Sequence, residues 1–272
     1  MRCSPRRPSW ACGQRRWRLS LASPDNQPAN RPWLRLVLAI SLDGRLAPAE
    51  GGAAQLGGRG DRLALEESLA WADACLIGAE TLRRHGNTCL IRDPSLLPSR
   101  EGRSPQPIAI AVTRGRGLPA DLPFFRQPVR RWQLILGSAH SFDGEKGGSA
   151  GIGEQPSGIE TSGLDLGYER VLRCGTWSRA VATLLAAGQR RLVVLGGAEL
   201  AGSLVGEGHV DELQLSLCPL LLGGPHCWLP ASLALPQPWR WQLLEQRSLD
   251  GGDLLLRYKR GSAGLGASRP DR

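Results

Sequence analysis

The sequence predicts an α/β fold: a mostly parallel sheet with helices on both faces and an antiparallel C-terminal edge. Three observations carry this. Strand-sized apolar runs alternate with amphipathic segments from Pro32 onward. Gly, Pro and Asp-Gly punctuate the runs, as turn chemistry requires. The chain then closes with two alternating stretches around Asp250-Gly251-Gly252, which reads as a hairpin. Strand–helix alternation followed by terminal strands favours parallel pairing with an antiparallel edge.

The elements follow in order. Trp33–Ile40 is a continuous apolar run and a buried strand. A Gly-rich loop spans 44–60, and residues 61–72 place Leu63, Leu65, Leu69 and Trp71 among charges, the pattern of an amphipathic helix. Ala74–Gly78 is a second strand, and a helix begins at Glu80–Arg84. A Pro/Ser/Arg-rich loop leads to a third strand at Pro107–Val112, and Leu134–Leu136 is a fourth. Residues 137–168, rich in Gly, Ser and Glu, are expected to be a mobile insertion. Trp177–Gly188 reads as a helix with Ser178 near its start and Gly188 as its stop. Arg191–Leu195 is a fifth strand, Ala198–Val205 a short helix, and Val210–Leu222 a long strand closed by Gly223-Gly224-Pro225. Trp239–Ser248 and Asp253–Arg260 form the hairpin.

The 272 residues suffice for a sizeable core, and 41% hydrophobic with 22% charged residues is a globular balance. No stretch approaches the roughly 18 apolar residues of a membrane helix. Residues 1–35 carry eight arginines and one acid, so +7 of the net +9 lies there and the remaining 237 residues are nearly neutral. Residues 1–31 therefore read as a disordered basic extension, and 261–272 as a disordered tail. A nucleic-acid role would rest on the extension alone, because the body shows no aromatic-basic platform. Seven cysteines lack any CxxC, and Cys75, Cys89 and Cys218 sit in apolar segments, as buried reduced thiols of a cytoplasmic protein do. The four histidines have no metal spacing, so no metal site is expected.

Four local features carry chemistry. The fifth strand runs straight into Gly196-Gly197 and then a helix. Glycines let a phosphate approach the backbone, and the helix offers it free N–H groups. The same pairing also serves plain packing, and GxGxxG is absent. Thr113 and Arg114 end the third strand, where a hydroxyl and a guanidinium suit the 2′-phosphate of NADPH; a solvated arginine is the other reading. Ser41-Leu42-Asp43-Gly44-Arg45 follows the first strand, a common place for a substrate contact and equally a plain turn. Thr81 precedes Arg92 by eleven positions, and Arg92 could hold a substrate phosphate or simply face water.

Taken together, Leu38–Arg45, Thr81, Leu90-Ile91-Arg92, Gly196-Gly197, Leu200–Leu213 and Cys218–Gly224 resemble, in order, the C-terminal reductase domain of the RibD family of riboflavin biosynthesis. The resemblance covers about residues 32–260. It implies a dihydrofolate-reductase-like three-layer α/β/α fold. It implies NADPH-dependent reduction of the ribose of 5-amino-6-(5-phosphoribosylamino)uracil to the ribityl product, by a homodimer. It assigns NADPH contacts to Ile40, Thr81, Thr113, Arg114 and the turn Gly196, Gly197, Ala198, Glu199 and Leu200. Substrate contacts fall to Ser41, Asp43 and Arg92, and no catalytic residue is singled out. The sequence departs from the family pattern at Val37, Leu56, His85 and Leu195, where Lys, Trp, Asp and Glu are usual. No HxE or PCxxC of the fused zinc deaminase occurs, so deamination is left to another protein. The departures keep two alternatives open: a related NADPH reductase of another small molecule, or a non-catalytic partner of a separate deaminase.

Overall fold

The computed structural model describes residues 30–52, 56–137, 159–160, 167–235 and 238–261. Ten strands form one sheet: β1 (Trp33–Ser41), β2 (Ala74–Gly78), β3 (Ile108–Thr113), β4 (Arg131–Leu136), β5 (Ile159–Glu160), β6 (Arg170–Cys174), β7 (Arg191–Val194), β8 (Glu212–Cys218), β9 (Trp241–Ser248) and β10 (Leu254–Arg260). Four helices accompany them: α1 (Arg59–Trp71), α2 (Ala79–His85), α3 (Trp177–Ala186) and α4 (Ala198–Gly206).

The sheet order is β5-β6-β4-β3-β2-β7-β1-β8-β10-β9. From β6 to β8 every pairing is parallel, while β10, β9 and β5 pair antiparallel at the edges. The predicted fold class is therefore the observed one. Alternation along β1 divides the core. Leu34, Leu36, Leu38 and Ile40 pack with Leu200, Leu204, Trp177 and Leu184 from α3 and α4. Val37 faces the other way, toward Leu69 of α1 and Leu82 of α2. Full burial of a leucine such as Leu34 or Leu36 stabilises by roughly 1.5–3 kcal/mol.

The topology positions the site. From β1 the chain crosses through α1 to β2, and from β7 it crosses through α4 to β8, in the opposite direction along the sheet. Right-handed crossovers running in opposite directions put α1 and α4 on opposite faces. The adjacent carboxyl ends of β1 and β7 thus part from each other. A crevice opens at this switch point, where open α/β sheets place their ligands.

Several element boundaries differ from the expectation. The strand expected at 134–136 begins three residues earlier, at Arg131. The strand expected at 210–222 stops at Cys218; Leu220 and Leu221 lie beyond it, and Leu221 is 77% exposed. β6 has no counterpart in the sequence reading, because its five residues include two arginines and carry little periodicity. The helix expected from Trp177 begins there, capped by Thr176, whose side chain accepts from Arg179 N–H. Of the expected insertion at 137–168, Gly137, Ile159, Glu160, Gly167 and the buried Tyr168 belong to the folded body; 138–158 and 161–166 lie outside the described residues.

The two terminal boundaries also move by one residue. Arg31, grouped with the extension, belongs to the domain: its guanidinium spans both oxygens of Asp211 at 2.5 and 2.7 Å. Gly261, grouped with the tail, donates from its N–H to Arg240 O. Residues 1–29 and 262–272, expected to be disordered, lie outside the described residues. Cys75 and Cys218 are buried free thiols, but Cys89 is exposed rather than buried. Among the described residues, no helix is long and apolar enough to cross a membrane.

Candidate active site

The crevice is a cleft of about 630 Å³. One wall grows from the end of β7. Leu195 N–H still bonds Leu76 O, and then the chain turns through Gly196 at φ +86°. A side chain at Gly196 would adopt a strained backbone, and its Cβ would stand 2.9 Å from Leu38 Cδ2. Gly197 caps α4 without a side-chain hydrogen bond. Its own N–H is held by Thr81 Oγ1 at 3.2 Å, and a Cβ at Gly197 would come within 2.9 Å of that oxygen. Thr81 thus latches the turn to α2. Ala201 N–H is the first amide of α4 to bond back, to Gly197 O, so the preceding helical amides have no intrahelical partner. Free N–H groups and the positive helix end favour an anion here.

The opposite wall comes from α1 and the segment after α2. Arg62, Leu65 and Glu66 of α1, with Asn87, Leu90 and Arg92, line it. Glu66 is buried and accepts from Arg92 N–H and Asp93 N–H, each at 2.8 Å. This pair of bonds fixes the backbone that carries Arg92, whose own guanidinium is left facing solvent. Cys89 lies beside Asp61, Arg62 and Arg92; the residue as a whole is exposed, yet desolvation of its sulfur is the largest cause raising its pKa. Val37, Leu56, His85 and Leu195 all line the same cleft.

The expected contacts divide accordingly. Thr81, Gly196, Gly197, Ala198 and Arg92 meet in this one cleft. Glu199 and Leu200 lie in the first turn of α4, the former exposed and the latter buried against the core. Ile40 is buried on the α3/α4 face of β1, next to the cleft residues Leu38 and Ala39. Thr113 and Arg114 end β3, two strands from β7. Thr113 Oγ1 accepts from Gly115 N–H and donates to Arg116 O, and Arg83 binds the Arg116 and Gly117 carbonyls. That turn is rigidly held, while the Arg114 guanidinium is exposed with no partner among the described residues.

Ser41 and Asp43 are engaged elsewhere. Ser41 Oγ donates to Asp43 at 2.5 Å and accepts from Arg45 N–H. Asp43 also accepts from Leu222 N–H and Gly223 N–H. The Ser41 hydroxyl and then these amides hold the Asp43 carboxyl down to about 2. Asp43 therefore ties the loop after β1 to the loop after β8, and neither Ser41 nor Asp43 is among the residues lining the cleft. Arg62, Asp61, Leu65 and Glu66 were not legible as site residues. They sit on a helix whose charged positions look like an ordinary solvated face until its packing angle is known.

An α/β fold with a glycine-lined turn and a free helix N-terminus at its switch point places these groups where open α/β sheets bind their ligands. The chain belongs to the RibD C-terminal domain family, whose profile matches residues 32–252. A relative from Methanothermobacter thermautotrophicus, named 2,5-diamino-6-ribosylamino-4(3H)-pyrimidinone 5′-phosphate reductase, is 27% identical over 71% of this chain and 81% of its own length. The Archaeoglobus fulgidus protein of the same name is 24% identical over 71% of this chain and 83% of its length. Among solved structures, Acinetobacter baumannii RibD superposes with a TM-score of 0.66 at 22% identity, over 86% of this chain and 59% of that one. The fold is thus that of a RibD reductase domain, and the chain spans little more than half of that RibD.

Proposed function

We propose that the chain is an NADPH-dependent reductase of a phosphorylated ribosylaminopyrimidine in riboflavin biosynthesis. One observation carries the reading: the Gly196–Gly197 anion cradle and Arg92 open into the same cleft. A dinucleotide diphosphate and a substrate phosphate can then approach from opposite walls. The names of the two archaeal relatives supply the substrate class.

The residues fit the cofactor. A Cβ at Gly196 or Gly197 would fill the space against Leu38 or Thr81, so only glycine leaves the cradle open. The free amides at the start of α4 would take the diphosphate, and Arg114 would take the 2′-phosphate by charge-assisted bonds. When bound, NADPH supplies the hydride. The protein holds the opened sugar carbon at the right place and excludes water. Leu38, Ala39, Leu46 and Ala47 give the cleft its apolar floor. Arg92, steadied through Glu66, and Arg62 would anchor the substrate phosphate.

The uracil form and the earlier diaminopyrimidinone differ only at one ring position, so both are tested. Full-length protein is mixed with NADPH and each compound in turn, and loss of the dihydronicotinamide absorbance is followed. Oxidation dependent on either compound supports the reading; none with both sinks the substrate assignment. A second reading, reduction of a different small molecule, is favoured by the apolar wall of Val37, Leu56, Leu65 and Leu195. Such a wall offers no hydrogen bond to a polar ring. NADPH binding without turnover of either pyrimidine would support it. A cytoplasmic homodimer remains part of the proposal, checked by sedimentation of the purified chain.

A further inference from the structure

We propose that the carboxyl of Asp61 donates the proton that the reduction requires. The inference rests on the reductase reading above and names a catalytic group that reading lacks. Adding hydride to the opened sugar carbon breaks the π bond of its C=N, or of C=O in the aldehyde form. The electron pair moves to the heteroatom, which must take a proton from an acid in the cleft. The new C–H and N–H (or O–H) bonds, oxidised NADP and one carboxylate balance the step. Solvent then reprotonates the carboxylate.

Two carboxyl groups line the cleft, Asp61 and Glu66. Glu66 is committed to the Arg92 and Asp93 amides. Asp61 accepts no backbone N–H among the described residues, and the Ser216 hydroxyl is the side-chain group that favours its anion. It lies against Gly57 in the first turn of α1, where the Gly-rich loop enters the helix. Behind it stands Asp253, itself buried and bound to Gly58 N–H at 3.1 Å. Two carboxyls under one loop cannot both ionise without cost, and Asp61 is the one that lacks an amide donor.

Burial pushes Asp61 upward, the Ser216 hydroxyl pulls it down, and the Asp253 charge adds a smaller upward push. The positive end of α1 acts in the opposite sense and favours the anion. Cys218 on β8 and Cys89 on the same wall of the cleft also face the pair; burial pushes both thiols up, and they are neutral at pH 7. Arg62, Arg92 and Glu66 bear on Cys89. The arrangement is that of a carboxylic acid whose burial and neighbouring carboxyl both favour the protonated form from which it donates.

The acid works below its pKa, so the rate falls as pH rises through it. Asp61→Asn is expected to lower kcat by about 10²–10³-fold and to abolish the basic limb of the kcat–pH profile. KM and NADPH affinity should stay within about two-fold, because a lost proton donor is not a lost binding contact. Asp253→Asn, whose side-chain oxygen can still accept from Gly58, should move that limb to lower pH. A readout independent of turnover is the infrared band of a protonated carboxyl that persists, as pH rises, above the ordinary aspartate range in the ligand-free protein. It should be present in wild type and absent in Asp61→Asn. Unchanged kcat–pH behaviour in Asp61→Asn, or a wild-type spectrum without that band, overturns the proposal. If the wild-type chain reduces neither pyrimidine, the functional reading fails by itself, and the infrared comparison still decides whether Asp61 holds a proton.

Discussion

At the residue scale, Gly196 and Arg92 make the sharpest claims. Gly196 needs a positive φ and has Leu38 Cδ2 2.9 Å from where its Cβ would be. Gly196→Ala should cost about 1–3 kcal/mol of stability and weaken NADPH binding more than ten-fold, measured by denaturant unfolding and fluorescence titration. Near-wild-type binding would mean that the turn is packing rather than a phosphate cradle. Arg92→Ala should raise KM for the phosphorylated pyrimidine by roughly 10–100-fold, since hydrogen bonds to charged groups contribute about 1.5–3 kcal/mol. NADPH affinity should barely change, because Arg92 stands on the opposite wall. The glycine pair was legible in the sequence, because a strand running into two glycines and a helix has few physical uses. Asp43 was legible only as a residue of interest. Its hydrogen bonds to Leu222 and Gly223 come from nearly 180 residues away, and nothing local announces them.

At the element scale, β1 and α1 share a polar seam within the apolar core. Arg35 on β1 bonds Glu212 on β8 at 2.7 Å and lies over the Trp71 ring at 4.1 Å. Ser68 of α1 donates to Gln214 at 2.8 Å, and Gln214 in turn bonds Ala64 O. This seam fixes the angle of α1 across β1 and β8, and hence the placement of Asp61, Arg62 and Glu66 in the cleft. Glu212→Ala leaves the Arg35 charge buried alone and should destabilise by about 3–5 kcal/mol, read from urea or thermal unfolding. Glu212→Gln should lose less. Strands β1, β2, β3 and β7 were readable because central parallel strands are apolar on both faces. β6 was not, because it lies next to the sheet edge, and Arg170 and Arg173 break its apolar run. β8 was overextended because Leu220 and Leu221 continue its apolar run while lying exposed.

For the whole molecule, the loop after β1 and the loop after β8 are closed onto one another by Asp43. Its folded carboxyl titrates at about 2, below the ordinary value of 3.8. The sign follows: the linked stability is fully present above the unfolded pKa and is lost as pH falls through about 2. Melting temperature measured between pH 5 and pH 2 should therefore fall less steeply in Asp43→Asn than in wild type, although the variant starts lower. Parallel curves would mean that Asp43 does not hold the loops. The mostly parallel sheet with helices on both faces was implied by the order of elements, whereas the divergence of crossovers at β1 and β7 depends on a strand order that no local pattern announces. The contents of the cleft were only half implied, since one wall is a motif and the other is the face of a helix.

The most direct test of the account is a titration of the purified full-length chain with NADPH and NADH, followed by addition of the diaminopyrimidinone ribosyl phosphate and of its uracil counterpart. The account predicts tighter binding of NADPH than of NADH, a preference erased by Arg114→Ala, and NADPH oxidation that starts only when a pyrimidine phosphate is added. No binding of either dinucleotide would contradict it at the root, because the Gly196–Gly197 turn would then have to be a packing feature of the sheet.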